Sequence, residues 1–264
     1  MKSVAGDENG RSEVSESAPS WALVTGSSNG IGRAAALGLA ADGYSVVVTG
    51  RSAQRVEEVR GQIEGAGGRA IGLVADLSGP SAARGLAEQV RDAVDGPVDV
   101  LVNNAGGGSF APTEATSDEM FDVAFNLNAK APFILVGAFA PGMAERGRGA
   151  IINVGSLSST MATAGTAAFQ AAKGALSMMT KSWTAEYGPR GVRVNTVDPG
   201  FVLTAVNEDF RPAFANYLST LPAGRGGDPE EVGNAIRFLA SPQASYIYGV
   251  TLAVDGGRNA VVPF

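Results

Sequence analysis

A glycine-rich segment near the start of the chain, TGSSNGIGRAAALGLAADG at residues 25–43, contains the first residues that could do chemistry. Gly26, Gly30 and Gly32 follow a short apolar run typical of a strand and precede a helix-length segment. Glycines let the backbone turn sharply and approach a ligand closely. The first turn of the following helix offers free N–H groups and partial positive charge to an anion. The segment therefore predicts a binding site for a pyrophosphate.

The same glycines also fit the pattern G-x-S-x-G at residues 26–30, in which Ser28 would be a hydrolase nucleophile. That pattern needs a histidine base, and the chain contains neither histidine nor cysteine. These absences exclude Ser-His-Asp triads, thiolate nucleophiles, disulfides and metal sites built from imidazole or thiolate. We predict no metal site, and proton transfer must use Asp, Glu, Lys, Tyr or water. An ordinary glycine-rich turn is the other alternative to the phosphate site.

The residues that end the next predicted strand indicate which ligand the phosphate site accepts. Thr49, Gly50 and Arg51 lie where an acidic residue would accept hydrogen bonds from a ribose 2′-hydroxyl, and the next acidic residue is Glu57. A guanidinium in this place attracts a 2′-phosphate, which a carboxylate would repel. The sequence therefore favours NADP(H) over NAD(H). The alternative is that Arg51 is a solvated surface charge.

Short apolar runs alternate with helix-length segments along most of the chain. The predicted strands cover residues 22–25, 45–49, 70–75, 98–103, 150–154, 192–197 and 250–254. The predicted helices cover residues 31–42, 52–65, 79–95, 117–146, 166–187 and 229–240. Continuous apolar strands are typical of a sheet covered on both faces. The alternation predicts an α/β fold, with a Rossmann-type doubly wound parallel sheet in a single domain over residues 20–264.

Composition limits the partners. The chain has 264 residues, of which 45% are hydrophobic, and a formal net charge of −6. A surface that follows nucleic-acid phosphates needs clustered Lys and Arg, which the sequence lacks, so we expect no nucleic-acid partner. No apolar run reaches the ~18 residues of a membrane span and no signal peptide is visible, so we expect no membrane partner and a cytoplasmic location. Residues 1–19, which are mostly polar and small, are predicted to form a disordered tail.

Several further motifs follow the glycine-rich segment in order. They are NNAG at 103–106, NAKAPF at 128–133, INVGS at 152–156, FQAAK at 169–173 and PGFVLT at 199–204. Together with the TGxxxGIG spacing of the glycines, this set resembles the short-chain dehydrogenase/reductase family from residue 21 to residue 260. The resemblance implies an NADP(H)-dependent oxidoreductase that interconverts a ketone and a secondary alcohol.

The resemblance also implies catalytic roles. In this family a tyrosine four residues before a lysine, on one face of a helix, delivers the proton to the carbonyl oxygen. The lysine lowers the pKa of the phenol and binds the nicotinamide ribose, a serine holds the substrate oxygen, and an asparagine holds a water that links the lysine to solvent. Lys173, Ser156 and Asn128 match these residues; Asn126 lies close by, but the following AKAPF selects Asn128. The tyrosine position holds Phe169.

The resemblance further implies a set of cofactor-binding residues at the carboxyl ends of the predicted strands and in the loops after them. These residues are Gly26, Ser28, Asn29, Gly30, Ile31, Arg51, Ser52, Asp76, Leu77, Asn103, Ala105, Gly106, Lys173, Pro199, Gly200, Val202 and Thr204. Asp76 resembles the family's adenine-contacting aspartate. The alternative is that it caps the helical segment after Pro80.

Phe169 has the ring of a tyrosine without its oxygen, and the nearest tyrosine, Tyr187, lies too far along the same helix to replace it. A positioned acid or base contributes about 10²–10⁴-fold to a rate. We therefore predict a protein that binds NADP(H) and turns over poorly. Three explanations stay open: an engineered Tyr→Phe replacement, a natural member with atypical or non-redox chemistry, and a non-catalytic cofactor-binding protein.

The segment 203–227 follows the carboxyl end of a strand and is predicted to form a helical lid over the substrate. Its mixture of aromatic and polar residues suits an apolar or aromatic ketone of modest size. The predicted substrate contacts are Ser156, Met161, Phe169, Val202 and Phe210. Packing within the lid is the alternative role for its aromatic residues. The stretch 221–241 resembles the family's reductases of 3-oxoacyl substrates, without identifying a substrate.

The predicted helices 117–146 and 166–187 carry many small residues, which permit close packing onto the sheet or between subunits. The family resemblance implies a homotetramer or homodimer that uses these two helices and the C-terminal strand.

Overall fold

Parallel strands form one sheet, and their positions follow the predicted apolar runs. The structure, a computed structural model, describes residues 20–79, 81–204 and 211–261. Its strands are β1 Trp21–Val24, β2 Ser45–Gly50, β3 Ala70–Val74, β4 Val98–Asn103, β5 Gly149–Val154, β6 Val192–Pro199 and β7 Thr251–Val254. Each differs from its predicted range by at most a few residues. The predicted tail 1–19 and Phe210 lie outside the described residues.

Helices cover both faces of the sheet. They are α1 Gly30–Ala41, α2 Ala53–Gly65, α3 Ala82–Ala93, α4 Asp118–Phe125, α5 Ala131–Glu145, α6 Ala167–Tyr187, α7 Arg211–Ser219 and α8 Pro229–Ala240. The prediction of one helix over 117–146 is wrong in one respect: a π-helical turn, Asn126–Lys130, separates α4 from α5. The apolar pattern continues through this turn, so the sequence did not reveal it. The helix α7 lies in the predicted lid segment.

The strand order is β3-β2-β1-β4-β5-β6-β7, and all pairs are parallel. The chain therefore winds outward in one direction from β1 to β3 and in the other from β4 to β7. Between β1 and β4 the order reverses, and crevices at the carboxyl ends of strands next to such a reversal bind ligands in this class of fold. The predicted doubly wound parallel sheet is confirmed.

Alternate residues of each central strand pack into separate cores. Leu23 and Leu101 point to the face covered by α3, α5 and α6. Val24 and Val102 point to the face covered by α1, α2 and α8. All four side chains are fully buried. Burial on both faces explains why the strands are continuous apolar runs in the sequence.

A buried polar chain ties α6 to the sheet. Asn103 Nδ2 donates to Asn153 Oδ1 at 2.8 Å, and Asn153 Nδ2 donates to Thr180 Oγ1 at 2.8 Å. Thr196 Oγ1 donates to Thr180 Oγ1 at 2.9 Å. Because Thr180 is on α6 and the other three are on β4, β5 and β6, these bonds fix the helix against the strands. They thereby position the start of α6, which bears Phe169 and Lys173.

The helical stretch Asp118–Glu145 is long and apolar enough to cross a membrane by length and composition, with a mean hydropathy of 1.4 over its most apolar window. The prediction that no apolar run has the length of a membrane span is therefore wrong by this measure, although Asn126, Asn128 and Lys130 divide the stretch into shorter apolar runs. Half of that window is buried inside the protein, and core helices of soluble proteins pass the same test. The stretch is therefore weak evidence for a membrane.

Candidate active site

The glycine-rich turn between β1 and α1 needs glycine at several positions. Gly26 and Gly30 have φ angles of +63° and +50°, which side chains rarely allow. A Cβ on Gly32 would lie 2.4 Å from both Gly26 O and Asn104 Nδ2. Asn29 is the N-cap residue of α1, yet its side chain makes no capping hydrogen bond, and the first turn has no acidic residue. The amides that begin α1 are thus suited to an anion.

The end of β4 holds this turn in place. Asn104 Nδ2 donates to Thr25 O at 2.8 Å and to Gly26 O at 3.1 Å. The backbone amides of Asn104 and Ala105 both donate to Thr25 Oγ1 at 2.9 Å. The hydrogen bonds join the two strands where the sheet order reverses. These contacts of Asn104 are not predicted from the sequence, although the NNAG motif contains the residue.

The end of β2 approaches the other side of the turn. A Cβ on Gly50 would lie 2.4 Å from Ser28 Oγ, so the absence of a side chain at Gly50 makes room for Ser28. Arg51 is exposed. Ser52 is the N-cap of α2, and its Oγ accepts a hydrogen bond from the Arg55 amide at 3.4 Å. The structure therefore places the exposed Arg51 directly after the strand end that packs against the glycine-rich turn.

Asp76 lies at the end of β3, on the same side of the sheet as Arg51. Its Oδ1 accepts a hydrogen bond from the Ser78 amide at 3.0 Å. Hydrogen bonds from Ser78 lower the pKa of Asp76, and the positive charge of Arg51 lowers it further. The alternative role of Asp76 as a cap for the next helix is wrong, because the N-cap residue of α3 is Ser81. The side chain of Leu77 is buried in the core.

Lys173 and Asn128 meet below the loop that follows β4. Lys173 Nζ donates to Val154 O at 2.7 Å, and only 4% of the residue is exposed. The amide of Asn128, which is fully buried in the π-helical turn, donates to Gly107 O and Ala124 O at 2.7 Å. A Cβ on Gly106 would lie 2.9 Å from Asn128 Oδ1 and 3.1 Å from Lys173 Nζ. The structure thus brings these predicted residues together.

Burial lowers the pKa of Lys173. The loss of hydration lowers its pKa to about 8, although the negative charge of Asp198 opposes this effect. The ammonium therefore loses its proton close to neutral pH, far below the ~10.4 of a solvated lysine.

Ser156 follows β5 at the same edge of the sheet. Its Oγ accepts a hydrogen bond from the Ser158 amide at 3.1 Å, and its own amide donates to Asp198 Oδ1 at 3.0 Å. Asp198 is on β6, which extends to Pro199 instead of ending at 197 as predicted. Sequence analysis missed Asp198. A charged residue at the carboxyl end of a parallel strand was the signal that could have revealed it.

Phe169 lies on the first turn of α6, beside Lys173. The centre of its ring is 5.9 Å from Lys173 Nζ and 5.6 Å from the centre of the Phe110 ring, which meets it edge-on. Phe110, after β4, is 62% exposed. Two aromatic rings therefore form an apolar wall next to the buried ammonium.

The loop after β6 packs next to the glycine-rich turn. A Cβ on Gly200 would lie 2.7 Å from Asp255 Cα, and one on Gly30 would lie 3.2 Å from Thr204 Cγ2. Thr204 is thus packed beside the glycine-rich turn. Val202 forms a parallel bridge with Gly227.

Other predicted residues have their side chains directed elsewhere. Ile31 packs against one core, and the amide nitrogen of Asn103 bonds to Asn153. Met161 O accepts a hydrogen bond from Gln170 Nε2 at 3.1 Å, which places Met161 near the start of α6.

Known proteins share this sequence and fold. A family described as Enoyl-(Acyl carrier protein) reductase matches residues 26–259. A 3-oxoacyl-[acyl-carrier-protein] reductase of Vibrio cholerae is 40% identical over 244 residues, which cover 91% of this chain and 97% of that protein.

Solved structures agree with these matches. One described as a short-chain dehydrogenase/reductase family protein is 41% identical, with a TM-score of 0.83 and coverage of 92% of this chain and 98% of the other. One from Burkholderia cenocepacia, described as a gluconate 5-dehydrogenase in complex with NADP and tartrate, is 33% identical, with a TM-score of 0.85 and coverage of 92% of this chain and 96% of the other. By its sequence, its fold and these relatives, the chain belongs to the short-chain dehydrogenase/reductase family.

Proposed function

We propose that this protein binds NADP(H) and interconverts a ketone and a secondary alcohol by hydride transfer. The observation that carries the proposal is the meeting of Lys173, Asn128 and Gly106 at the sheet edge that also holds the glycine-rich turn. The relatives named above include a reductase and a dehydrogenase. The nicotinamide would supply or accept the hydride, and the residues of the chain would bind, orient and handle protons.

The residues present fit this cofactor. The amides at the start of α1, which the Asn29 side chain does not cap, would hold the pyrophosphate. Lys173 would bind the nicotinamide ribose. Gly26 and Gly32 keep the turn compact, because a side chain at Gly26 would press on Ala105 and Asn104, and one at Gly32 would collide with Gly26 O and Asn104 Nδ2.

We propose a preference for NADP(H) over NAD(H). Arg51 is exposed where a 2′-phosphate would lie. The carboxylate of Asp76 already accepts a hydrogen bond from the Ser78 amide, and hydrogen bonds from Ser78 lower its pKa more than the charge of Arg51 does. The related gluconate 5-dehydrogenase structure contains NADP. A guanidinium recognises a phosphate more strongly than a hydroxyl.

Proton delivery would be the inefficient step of this reaction. Phe169 occupies the position of the family's proton donor, so reduction would use water as the proton source while Ser156 polarises the carbonyl. The loss of a positioned acid reduces a rate by about 10²–10⁴-fold. We therefore propose that the chain binds its cofactor well and turns over slowly.

The contact of Phe169 with Phe110 favours a second candidate function. It creates an apolar wall where the family has a hydroxyl, which would suit a member with atypical or non-redox chemistry, or a protein that binds NADP(H) without catalysis. Under either view Lys173 and the glycine-rich turn would still hold the cofactor.

The substrate is proposed to be an apolar or aromatic carbonyl compound of modest size. Beyond Phe110 and Phe169, the lid helix α7 brings Phe214 and Tyr217 to Phe201, with ring centres 4.7 Å and 6.4 Å from it. The descriptions of the relatives name different substrates, a 3-oxoacyl-[acyl-carrier-protein] and gluconate, so neither is transferred to this chain.

We also propose a homo-oligomer in the cytoplasm. Phe133 on α5 and Met178 on α6 are 57% and 63% exposed on the two helices expected at a subunit interface. Light scattering coupled to size exclusion tests this directly, and a monomer at micromolar concentration would contradict it.

The experiment for the main proposal combines binding with turnover. NADPH and NADH are titrated by fluorescence into the native chain and into Phe169→Tyr, and both proteins are then assayed against a panel of ketones. Phe238→Tyr is the matched control, because it makes the same chemical change on an exposed ring of α8.

Each outcome separates the alternatives. A rise of about 100-fold or more in Phe169→Tyr alone supports an oxidoreductase that lacks its acid. Conversion by the native chain without such a gain supports atypical chemistry. Binding without conversion in either protein supports a cofactor-binding role. If neither coenzyme binds, the proposed function is wrong.

A further inference from the structure

Asp198 is a buried carboxylate for which the proposed reaction has no use. It lies near the end of β6, and only 2% of the residue is exposed. A carboxylate in such a place is costly unless its oxygens are hydrogen-bonded. Here both are: Oδ1 accepts from the Ser156 amide at 3.0 Å, and Oδ2 accepts from Ser159 Oγ at 2.9 Å. Both donors belong to the segment that carries the proposed substrate-binding serine.

The backbone next to Ser156 is built around this carboxylate. A Cβ on Gly155 would lie 1.9 Å from Asp198 Oδ1, far inside contact distance. Gly155 is also held by the sheet, since its amide donates to Val197 O at 2.8 Å. The close approach of Asp198 to the Ser156 amide therefore depends on a glycine at 155.

Lys173 holds the same segment from its other end. Its ammonium donates to Val154 O, whereas the carboxylate of Asp198 accepts from Ser156 N, so the two charged groups bond to backbone groups on either side of Gly155. Burial lowers the pKa of Lys173 and raises the pKa of Asp198. The charge of each group opposes the effect of burial on the other, since Asp198 raises the pKa of Lys173 and Lys173 lowers the pKa of Asp198.

The other groups that face Lys173 carry no charge. They are Asn128 from the π-helical turn, the backbone of Gly106 after β4, Val154 O from β5 and the Phe169 ring from its own helix. Within the described residues, Asp198 is thus the charged group that acts on this ammonium.

We propose that Asp198 is a positioning residue that fixes the backbone of Ser156 and keeps the ammonium of Lys173 charged for cofactor binding. This inference rests on the proposed function. It assigns Asp198 two separable tasks, one that needs a hydrogen-bond acceptor and one that needs a negative charge.

Two substitutions separate these tasks. Asp198→Asn keeps an acceptor for the Ser156 amide and removes the charge, whereas Asp198→Ala removes both. Hydrogen exchange in a peptide that spans residues 150–160 should stay unchanged in the Asn variant and become faster in the Ala variant. If Asp198 acted only through its charge, hydrogen exchange would stay unchanged in both variants, and the positioning of the Ser156 backbone by Asp198 would be wrong.

The second readout is the pH dependence of NADPH affinity, measured by fluorescence with the full chain. Affinity should fall as pH rises through the pKa of Lys173, about 8, because the ammonium that attracts the anionic cofactor is lost. In both variants the midpoint should move to lower pH by roughly one unit, since a nearby opposite charge shifts a pKa by that order.

Asp99→Asn is the matched control. Asp99 is also a buried carboxylate, 9% exposed, but it bonds to Arg146 and Arg148 beside the amino end of β4. Its variant should lower the melting temperature and leave both readouts as in the native chain. A midpoint in Asp198→Asn equal to that of the native chain would overturn the inference while the proposed function stands. Failure of the native chain to bind NADPH would overturn both.

Discussion

The two ends of the candidate site consist of different kinds of groups, backbone amides at one end and buried side chains at the other. At the proposed phosphate end, the groups that would face the ligand are backbone amides held by glycines and by the Asn104 side chain. At the proposed catalytic end, the groups are buried side chains, Lys173, Asn128 and Asp198, contributed by separate elements. A backbone site depends on conformation and tolerates no added atoms, whereas a buried polar site depends on charge and on complete hydrogen bonding. Substitutions should therefore fail in different ways at the two ends.

The largest effect is expected at the catalytic end from Phe169→Tyr. The new hydroxyl would lie beside Lys173 and restore a positioned acid, so ketone reduction should rise by about 10²–10⁴-fold. NADPH affinity should change little, because the glycine-rich turn is untouched. Steady-state rates with NADPH measure the first effect, and fluorescence titration measures the second. A gain in affinity without a gain in rate would contradict the assignment of position 169.

The next largest effect belongs to the phosphate end. In Gly32→Ala the new methyl group would meet Gly26 O and Asn104 Nδ2 at 2.4 Å. Overpacking of this kind costs ~1–3 kcal/mol, so the dissociation constant for NADPH should rise by about 10–100-fold.

Gly61→Ala provides the control for the glycine effect. Gly61 lies within α2, and a Cβ there would meet nothing within 4 Å. That variant should bind NADPH normally and unfold at a slightly higher temperature, since alanine favours a helix. Normal binding by Gly32→Ala would show that the backbone of the turn is not the binding surface.

A smaller effect should distinguish the two coenzymes. Arg51→Ala removes the guanidinium proposed to meet the 2′-phosphate, and NADPH affinity should fall about 10-fold, the order of one charge-assisted hydrogen bond. NADH affinity should not fall. Arg84→Ala, an exposed arginine on α3, is the control for general charge. Equal losses for NADPH and NADH would remove Arg51 from coenzyme selection.

The sequence predicts the backbone of the proposed phosphate end, because glycines and strand ends are local features. Gly26 and Gly30 have the positive φ angles expected of such a turn, and Arg51 and Asp76 follow the ends of β2 and β3. The contacts of these residues with a cofactor stay predictions. The fold can also be predicted from the sequence, because strands buried on both faces leave continuous apolar runs such as those within β2 and β5.

The sequence predicts the proposed catalytic end only in part. Motif spacing picks out Lys173, Ser156 and Asn128, whereas Asp198 and Phe110 reach the same region through contacts between elements distant in the chain. No local pattern encodes the approach of Asp198 to Ser156. The π-helical turn that holds Asn128 was hidden for a related reason: its apolar period continues that of the helices on both sides.

The smallest effect is expected from titration at the phosphate end. Ser78 and Arg51 lower the pKa of Asp76, an exposed group. A carboxyl whose pKa is lower in the folded chain stabilises the fold above its unfolded pKa and loses this contribution as pH falls through its folded pKa. Asp76→Asn should therefore lower the melting temperature slightly at neutral pH and make no difference in strong acid.

Melting curves of the native chain and Asp76→Asn across acid pH measure this difference. It should stay small because water screens exposed charges. By contrast, removing the charge of Asp198, which water does not screen, should alter cofactor binding at pH values where Asp76 no longer titrates. If the two variants changed the melting temperature and the binding midpoint equally, the distinction between a solvated phosphate end and a buried catalytic end would be wrong.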